Sequence, residues 1–287
     1  MNNLKYFLQS IIIFFLFFIF KLVGLKFATM ISGSILKIIG PLFRSNKISD
    51  KNLLKAFPNL DIDQRKIILS DMWFNYGKIF AEYVFIKNFR TSKRFSEKVI
   101  IENREILEKI KFSKKPVIFV SGHFNNFELM AMHLEKSGID LAAIYRPLNN
   151  KFLNPIMENI RKKYICKNQI KKGLAGLKKL IKLKKKNYST ALMIDQRVSE
   201  GILSPLFNEK ALTTTIPAQL VKKFNIPIVP VYIERIDGLK FKITINQPLS
   251  FPQDTSQKEI TDNLNQILEK FILSKPENWI WSHNRWK

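Results

Sequence analysis

Short apolar stretches rich in β-branched residues alternate along this chain with longer stretches of helical periodicity, and this alternation constrains the fold most. Strands that alternate with helices indicate a mainly parallel sheet with helices on its faces. We therefore predict an α/β fold with a mainly parallel central sheet flanked by helices. The strand candidates are residues 117–120, 139–145, 189–194, 226–234 and 240–245, and the helix candidates are residues 61–85, 154–164, 173–186, 217–224 and 259–273.

The N-terminal segment is the longest uncharged apolar run of the chain. Residues 6–20 carry no charge, are bracketed by Lys5 and Lys21, and are followed by further apolar sequence. A membrane-spanning helix needs about 20 apolar residues, so this run is short for a span. A signal peptide would have a similar apolar core, but no small-x-small cleavage site follows. We predict a membrane anchor over residues 1–45, which dips into one leaflet or crosses as a short tilted span, and one further domain over residues 46–287.

Basic residues dominate the charge: 48 Lys and Arg against 23 Asp and Glu give a net charge of +25. Such an excess attracts nucleic acids, anionic lipid headgroups and acidic proteins. The 24 phenylalanines and the apolar N-terminus favour a membrane surface over nucleic acid. Within residues 161–186, which contain no acidic residue, Leu174, Leu177 and Ile181 recur at helical spacing. This pattern predicts a basic amphipathic helix for an anionic interface or an acidic partner, or a packed helix with a solvated outer face.

Cysteine and histidine usage limits the chemistry. The single cysteine, Cys166, excludes an internal disulfide and a cysteine metal cluster. The three histidines occur without an H-E-x-x-H motif, so we predict no metal site and no cofactor. Cys166 lies far in sequence from His123, which disfavours a Cys-His nucleophile. His133 is interpreted as a structural residue.

His123 and Glu128 form the most informative motif, H-x-x-x-x-E, directly after the strand candidate at residues 117–120. Residues five apart on one helix point about 140° away from each other. The pair can therefore meet only if His123 lies in a turn and Glu128 in the first turn of the next helix, which we expect to run to about residue 135. Histidine is suited to take a proton near neutral pH, and a carboxylate on its other ring nitrogen orients it.

The same stretch allows a second interpretation. Asn125 or Asn126 can cap the helix, and Asn125-x-x-Glu128 matches a capping box in which Glu128 serves only the helix start. Because ligands bind beyond the carboxyl ends of parallel strands, His123, Arg146 and Asp195, which each follow a strand candidate, are predicted to line one crevice.

An ordered set of motifs accompanies this stretch and covers nearly the whole chain. The set resembles the lipid A biosynthesis late acyltransferases, the lauroyl/myristoyl transferase family of Gram-negative bacteria within the lysophospholipid acyltransferase-like superfamily. One departure is Leu206-Phe207-Asn208, which stands where the family often has paired glycines or Phe-Gly. The motifs are residues 73–77 with Glu82, 120–129, 143–150, 193–196, 204–207 with 213–215, and 276–286.

The resemblance implies a glycerolipid acyltransferase-like fold in a protein of the bacterial inner membrane, with its active face on the cytoplasmic side. It implies an acyl chain on acyl carrier protein as donor and a 3-hydroxyacyl chain of a phosphorylated, Kdo-bearing lipid A precursor as acceptor. His123 would deprotonate the acceptor hydroxyl while Glu128 orients the imidazole. The thioester is already activated, so no acyl-enzyme is required.

The resemblance also implies contacts to the substrates. Arg146, in a Tyr-Arg-Pro segment, and Arg161 would clamp the phosphates, and surface ion pairs remain the alternative for both. Asn126, Asp195 and Gln196 complete the predicted substrate-binding set, and for the Asp-Gln segment support of a turn is equally open. The Trp-rich ending at residues 279–286 is predicted to pack the C-terminus onto the domain.

Three alternatives stay open at this point. A glycerophospholipid acyltransferase would use the same chemistry, although the Pro-Glu-Gly-Thr-Arg motif usual in those enzymes does not occur here. A transferase acting on mannosylated phosphoinositides is the second. The third is a non-catalytic basic protein that binds membranes or nucleic acid, which would keep its affinity when His123 or Glu128 is replaced.

Overall fold

The computed structural model describes residues 2–43 and 46–287 and shows an α/β fold, as the sequence predicts. The helices are α1 (Asn2–Phe43), α2 (Asn46–Ala56), α3 (Ile62–Glu82), α4 (Ile86–Thr91), α5 (Lys93–Ser96), α6 (Arg104–Ser113), α7 (Glu128–Lys136), α8 (Asn154–Ile160), α9 (Leu174–Lys184), α10 (Ile216–Phe224) and α11 (Gln257–Ser274). The strands are β1 (Val99–Glu102), β2 (Ile118–Ser121), β3 (Leu141–Tyr145), β4 (Asn168–Lys171), β5 (Ser189–Met193), β6 (Ile202–Leu206), β7 (Glu209–Thr213), β8 (Ile228–Asp237) and β9 (Lys240–Ile245).

Seven strands form one sheet in the order β1-β9-β8-β2-β5-β3-β4, and β6 and β7 form a separate antiparallel pair. The strands from β8 to β4 run parallel to one another. β9 follows β8 through a tight turn at Gly238 and is therefore antiparallel to it, whereas β1 is parallel to β9. The mainly parallel sheet flanked by helices confirms the predicted fold class.

The register of β2 and β5 positions the site. Ser121 at the end of β2 pairs with Met193 at the end of β5, and the Ile194 amide donates to the Ser121 carbonyl. β3 lies on the other side of β5, so the carboxyl ends of all three strands meet at one edge of the sheet. The turns that carry His123 and Asp195 therefore start next to each other.

The start of α7 differs in part from the sequence prediction. Glu128 opens the helix as expected, but Phe127 occupies the N-cap position and no side chain caps it. Asn125 adopts a left-handed backbone with φ 41° and is fully buried, and its side-chain nitrogen and oxygen have no hydrogen-bond partner among the described residues. The predicted cap by Asn125 or Asn126 and the capping box with Glu128 are therefore wrong.

The longest helix, α1, is bent at Gly24, where φ is 79°. Its second half packs closely on α3, and Ser32 Oγ donates to the Gly77 carbonyl at 2.7 Å where the two helices meet. A Cβ added at Gly77 would lie 2.3 Å from the Ser32 carbonyl oxygen, so only glycine permits this approach. By length and composition, α1 is long and apolar enough to cross a membrane, which makes it a candidate anchor. The division into an anchor over 1–45 and a domain over 46–287 stays a prediction.

The C-terminal segment is built into the domain, as predicted. The side chains of Trp279, Trp281 and Arg285 are fully buried or nearly so. Arg285 Nη1 donates to the Leu212 carbonyl and its Nη2 to Thr213 Oγ1, each at 2.7 Å. These contacts join the chain end to the β6–β7 pair beside the sheet.

Candidate active site

The carboxylate that bonds to His123 is Asp195. His123 Nδ1 lies 2.7 Å from Asp195 Oδ1, and the His123 amide donates to Asp195 Oδ2 at 2.9 Å. The indole Nε1 of Trp279 donates to the same Oδ2 at 3.0 Å. Asp195 thus receives three hydrogen bonds in a buried position and holds both the backbone and the ring of His123. With Nδ1 engaged, Nε2 is the ring nitrogen left to exchange a proton with a ligand.

Glu128 bonds to Arg161 instead of to His123. Glu128 Oε1 accepts from Arg161 Nε at 2.8 Å and lies 2.6 Å from Nη2. Both side chains are largely buried, with exposed fractions of 9% and 13% respectively. The expectation that Glu128 orients His123 is corrected in this respect. Strand order explains the difference between the predicted and the observed pairing. β5 neighbours β2 and brings Asp195 beside the His123 ring, while α7 carries Glu128 towards α8.

The charges around His123 favour its protonated form. Burial lowers the pKa of the His123 imidazole, but the charge and hydrogen bond of Asp195 raise it more, so the pKa of His123 lies above its ordinary value of 6.5. Glu128 adds to this rise, and Arg161 opposes it. Burial raises the pKa of Asp195, but the charge and hydrogen bonds of His123 lower it to about 2. The two groups therefore form a coupled acid–base pair.

Arg161 lies where α8 passes into a π-helical turn over Arg161–Ile165. The Cys166 amide donates to the Arg161 carbonyl at 2.9 Å and closes this wider turn. Such turns occur frequently at functional sites, because the extra residue shifts the direction of the side chains. Burial lowers the pKa of Arg161, but Glu128 raises it more, so the guanidinium stays charged.

Asn126 does not line the cavity beside His123 and instead points into the protein. Its Nδ2 donates to Glu82 Oε2 at 3.0 Å, and Glu82 Oε1 lies 2.7 Å from Arg235 Nη1. Asn126 and Glu82 are almost completely buried. The geometry gives Asn126 a supporting position, in which it ties the turn after His123 to α3 and β8. The substrate contact of Asn126 stays a prediction.

His123 opens into a cavity of about 460 Å³. Its buried wall is mostly apolar apart from His123, Glu128 and Arg161, and its outer rim is basic because Arg146, Lys172 and Arg197 lie there. Glu128, Arg161 and Gln196 also line the cavity, so the structure brings these predicted residues together with His123 and Arg146. The apolar wall includes Met130, Ala131, Leu134, Ala143 and Ile165.

Two basic residues of the rim were missed from sequence. Lys172 directly follows β4, and Arg197 lies two residues beyond Asp195. Arg146 was predicted because it follows the end of a strand candidate. The same rule would have identified Lys172 if β4 had been recognised in the sequence. Arg197 is held by the chain terminus, since its amide donates to His283 Nε2 and its Nε to the Lys287 carbonyl, each at 3.1 Å.

Comparison with known proteins decides the family. The family model of the bacterial lipid A biosynthesis acyltransferases matches residues 1–287. The chain belongs to this family. It is therefore an acyltransferase of lipid A biosynthesis, and the non-catalytic binder is set aside. The resemblance described from the motifs is confirmed.

Individual relatives agree with the family at low identity. The chain is 25% identical over 240 residues to lipid A biosynthesis acyltransferase 2 of Shigella flexneri, a match that covers 80% of this chain and 74% of the relative. It is 25% identical over 248 residues to the lipid A biosynthesis lauroyltransferase of Escherichia coli K12, covering 85% and 79%. The palmitoleoyltransferase of the same strain is 23% identical over 256 residues, covering 86% and 80%. The names of the lauroyltransferase and the palmitoleoyltransferase refer to different acyl chains, so the family does not fix the chain length.

Proposed function

We propose that the protein transfers a fatty acyl chain from acyl carrier protein to a hydroxyl of a Kdo-bearing lipid A precursor, with His123 as general base. The observation that carries the proposal is the hydrogen-bonded pair of His123 and Asp195 at the wall of a cavity that is apolar inside and basic at its rim. A base supplies proton removal, an apolar wall suits an acyl chain, and a basic rim suits phosphates.

The reaction consists of attack by the acceptor hydroxyl and departure of the thiolate. The acceptor hydroxyl oxygen attacks the thioester carbonyl carbon while His123 Nε2 takes the hydroxyl proton. The tetrahedral intermediate then collapses, the C–S bond breaks, and the proton passes from His123 to the leaving thiolate. The ester and the free thiol are the products, so atoms and charges balance. General-base help of this kind is typically worth about 10²–10⁴ in rate.

Asp195 orients the base His123, whereas Glu128 acts indirectly by positioning Arg161. Asp195 fixes the tautomer of His123 with a proton on Nδ1 and stabilises the imidazolium that forms. Glu128 holds Arg161 at the cavity wall, and the guanidinium supplies a positive charge for the developing oxyanion. Glu128 is thus proposed as a positioning residue, in place of the direct contact with His123 expected from the motif.

The substrates are assigned by charge and polarity. Arg146, Lys172 and Arg197 at the rim are proposed to bind the phosphates of the acceptor or the phosphate of the carrier's prosthetic arm. The net charge of +25 would steer an acidic carrier protein towards the site. Gln196 lies on the same rim and remains a proposed substrate contact.

The proposed membrane placement is supported by contacts between α1 and the loop that follows β3. Asn150 Nδ2 donates to the Tyr6 carbonyl at 2.9 Å, Ser10 Oγ lies 3.2 Å from Asn150 Oδ1, and the rings of Phe7 and Phe152 are 5.6 Å apart. The loop that makes these contacts continues from the cavity rim. We propose that α1 anchors the protein in the inner membrane, with the active face on the cytoplasmic side, so that a lipid acceptor reaches the rim from the bilayer. The basic helix α9 is proposed to rest against anionic headgroups.

The test is mass spectrometry of a Kdo-lipid A precursor incubated with acyl-loaded carrier protein and the purified full chain. A gain of one acyl chain with the wild type, and none with His123→Ala, is expected. No gain with any of several acyl lengths, from a folded and membrane-bound sample, overturns the substrate assignment. Phospholipid acceptors in parallel reactions would then distinguish the glycerophospholipid alternative.

A further inference from the structure

A second cavity, of about 550 Å³, lies at the other end of α7. It shares no lining residue with the cavity at His123. Lys136 is eight residues beyond Glu128, which corresponds to about 12 Å along the helix. The floor is formed by the end of α7 and by β1, and the sides by α4, α5 and the start of α6. We call it the basic cavity.

Positive charge is concentrated around the basic cavity. Among the described residues, Arg90, Lys93, Arg104 and Lys136 line it, against one carboxylate, that of Glu97. The charge is only partly neutralised by neighbours. Arg90 Nη2 lies 2.8 Å from a Glu135 oxygen, but the ion pairs of Lys93 with Glu97 and of Arg104 with Glu108 are long, at 4.0 and 3.8 Å, and exposed. Such exposed pairs are worth little.

Lys136 is the least compensated of the four cations. Its Nζ donates to Ser96 Oγ at 2.8 Å, and within residues 2–43 and 46–287 no carboxylate forms an ion pair with it. Ser96 accepts this bond, so its hydroxyl hydrogen is available to another group. Ser92 adds another hydroxyl to the lining, whereas the Ser137 hydroxyl already donates to the His133 carbonyl at 2.8 Å. Cations together with hydroxyl donors are the groups that bind phosphoryl oxygens.

His133 is buried beside the same cations. It lines the basic cavity, is 5% exposed, and its Nε2 has no hydrogen-bond partner among the residues that the structure describes. Burial lowers the pKa of His133 to about 3, and Lys136, Arg90 and Arg104 add to the effect. Burial and Arg90 also lower the pKa of Lys136. The protein therefore gathers like charges that repel each other, and a bound anion would relieve this repulsion.

We propose that the basic cavity binds a phosphate-class anion between the end of α7 and the α4–α5 segment. A phosphate carries up to two charges on oxygens that point in several directions, so it can meet cations from different elements and the serine hydroxyls together. A carboxylate presents one charge in one plane and would leave most of these donors without a partner. The phosphate belongs either to the free ion or to the headgroup of a phospholipid.

Isothermal titration calorimetry on the full chain in a neutral detergent tests this site. Inorganic phosphate is titrated at an ionic strength held constant with chloride, and a short-chain phosphatidylglycerol below its micelle concentration is titrated in a second arm. The cavity variant is Arg104→Gln with Lys136→Gln. The matched control is Lys210→Gln with Lys270→Gln, which removes the same charge from exposed lysines that form no ion pair within the described ranges.

The cavity variant is expected to bind phosphate at least about tenfold more weakly than the wild type, and the control is expected to match the wild type. Lys136→Arg keeps the charge and should keep binding, which separates loss of the site from loss of folding. Tighter binding of the short-chain lipid than of phosphate assigns the site to a headgroup, and the reverse order assigns it to the free ion. No heat from either phosphate or the short-chain lipid with the wild type, or equal loss in the cavity and control variants, overturns the proposal. The readout is independent of acyl transfer.

Discussion

His123 and Asp195 are 72 residues apart in sequence, yet the imidazole Nδ1 and a carboxylate oxygen of Asp195 lie 2.7 Å apart. Their strands, β2 and β5, are neighbours in the sheet, and each residue stands two positions beyond a paired strand end. The carboxylate that is near in sequence, Glu128, bonds to Arg161. The two residues of the motif therefore belong to two separate polar pairs at one cavity, His123 with Asp195 and Glu128 with Arg161. Each pair can be tested by its own substitutions.

Asp195→Asn is expected to lower kcat by at least about 10²-fold, because an amide at this position no longer stabilises the imidazolium or enforces the tautomer with a proton on Nδ1. Acyl transfer measured by chromatography of the lipid product checks the change. Asp254→Asn, at an exposed position, is the matched control and should retain wild-type activity. An Asp195→Asn enzyme within threefold of the wild type would contradict the assigned role.

The pH dependence should report the raised pKa of His123. A general base must be neutral, so kcat/KM falls as the pH drops through the pKa of the free enzyme's base. Because the pKa of His123 lies above 6.5, the acid limb of the profile should have its midpoint above 6.5. In Asp195→Asn the effect of burial remains without the carboxylate, so the midpoint should move to lower pH. An acid limb that stays in place in this variant would show that another group titrates.

The pair of Glu128 and Arg161 should show strong coupling in stability. Removing one partner of a buried pair leaves an uncompensated charge and costs about 3–5 kcal/mol. Glu128→Gln and Arg161→Gln are each expected to lower the free energy of unfolding by this order, and the double variant should lose less than the sum. Denaturant unfolding in detergent, followed by tryptophan fluorescence, measures the cycle. Additive losses would mean that the two side chains do not depend on each other.

Asn126 should act through folding of the turn after His123 and not through substrate binding. Asn126→Asp places a second carboxyl group where the amide meets Glu82 at 3.0 Å, so it should destabilise more than Asn126→Ala. For Asn126→Ala, kcat should fall with KM nearly unchanged, because the residue does not line the cavity. A large rise in KM at full stability would instead support the direct substrate contact that the sequence suggested.

Ala131 should influence which acyl chains the enzyme accepts. It lies on the apolar wall of the cavity at His123, where added side-chain volume shortens the space for a chain. Ala131→Leu is expected to shift the preference towards shorter acyl donors in a competition between carrier proteins loaded with different chains. Ala175→Leu on the exposed side of α9 is the control and should leave the preference unchanged. An unaltered product distribution in Ala131→Leu would show that the acyl chain lies elsewhere.

Several elements were predictable because their signals are local. The alternation of β-branched and helical stretches predicted the parallel sheet, and β9 (Lys240–Ile245) occupies the predicted residues. The strands β1 and β4 were missed, since each has four residues and lies at an edge of the sheet, where little apolar sequence is needed. Helix α7 begins at Glu128 as expected. Neither Asn125 nor Asn126 caps it, because tertiary contacts bury both side chains.

The sequence by itself determined the class of fold, the apolar N-terminal helix, the family and the position of His123 after a strand, because these depend on composition, periodicity and ordered motifs. Only the tertiary structure decided which carboxylate meets the imidazole. Strand order is set by the packing of the whole sheet, and it places β5 beside β2, so Asp195 lies next to His123. Glu128 is five residues away along the chain, but the direction of α7 and the position of α8 join it to Arg161. Nearness in sequence therefore suggested a pairing of His123 with Glu128 that the tertiary structure replaces with His123–Asp195 and Glu128–Arg161.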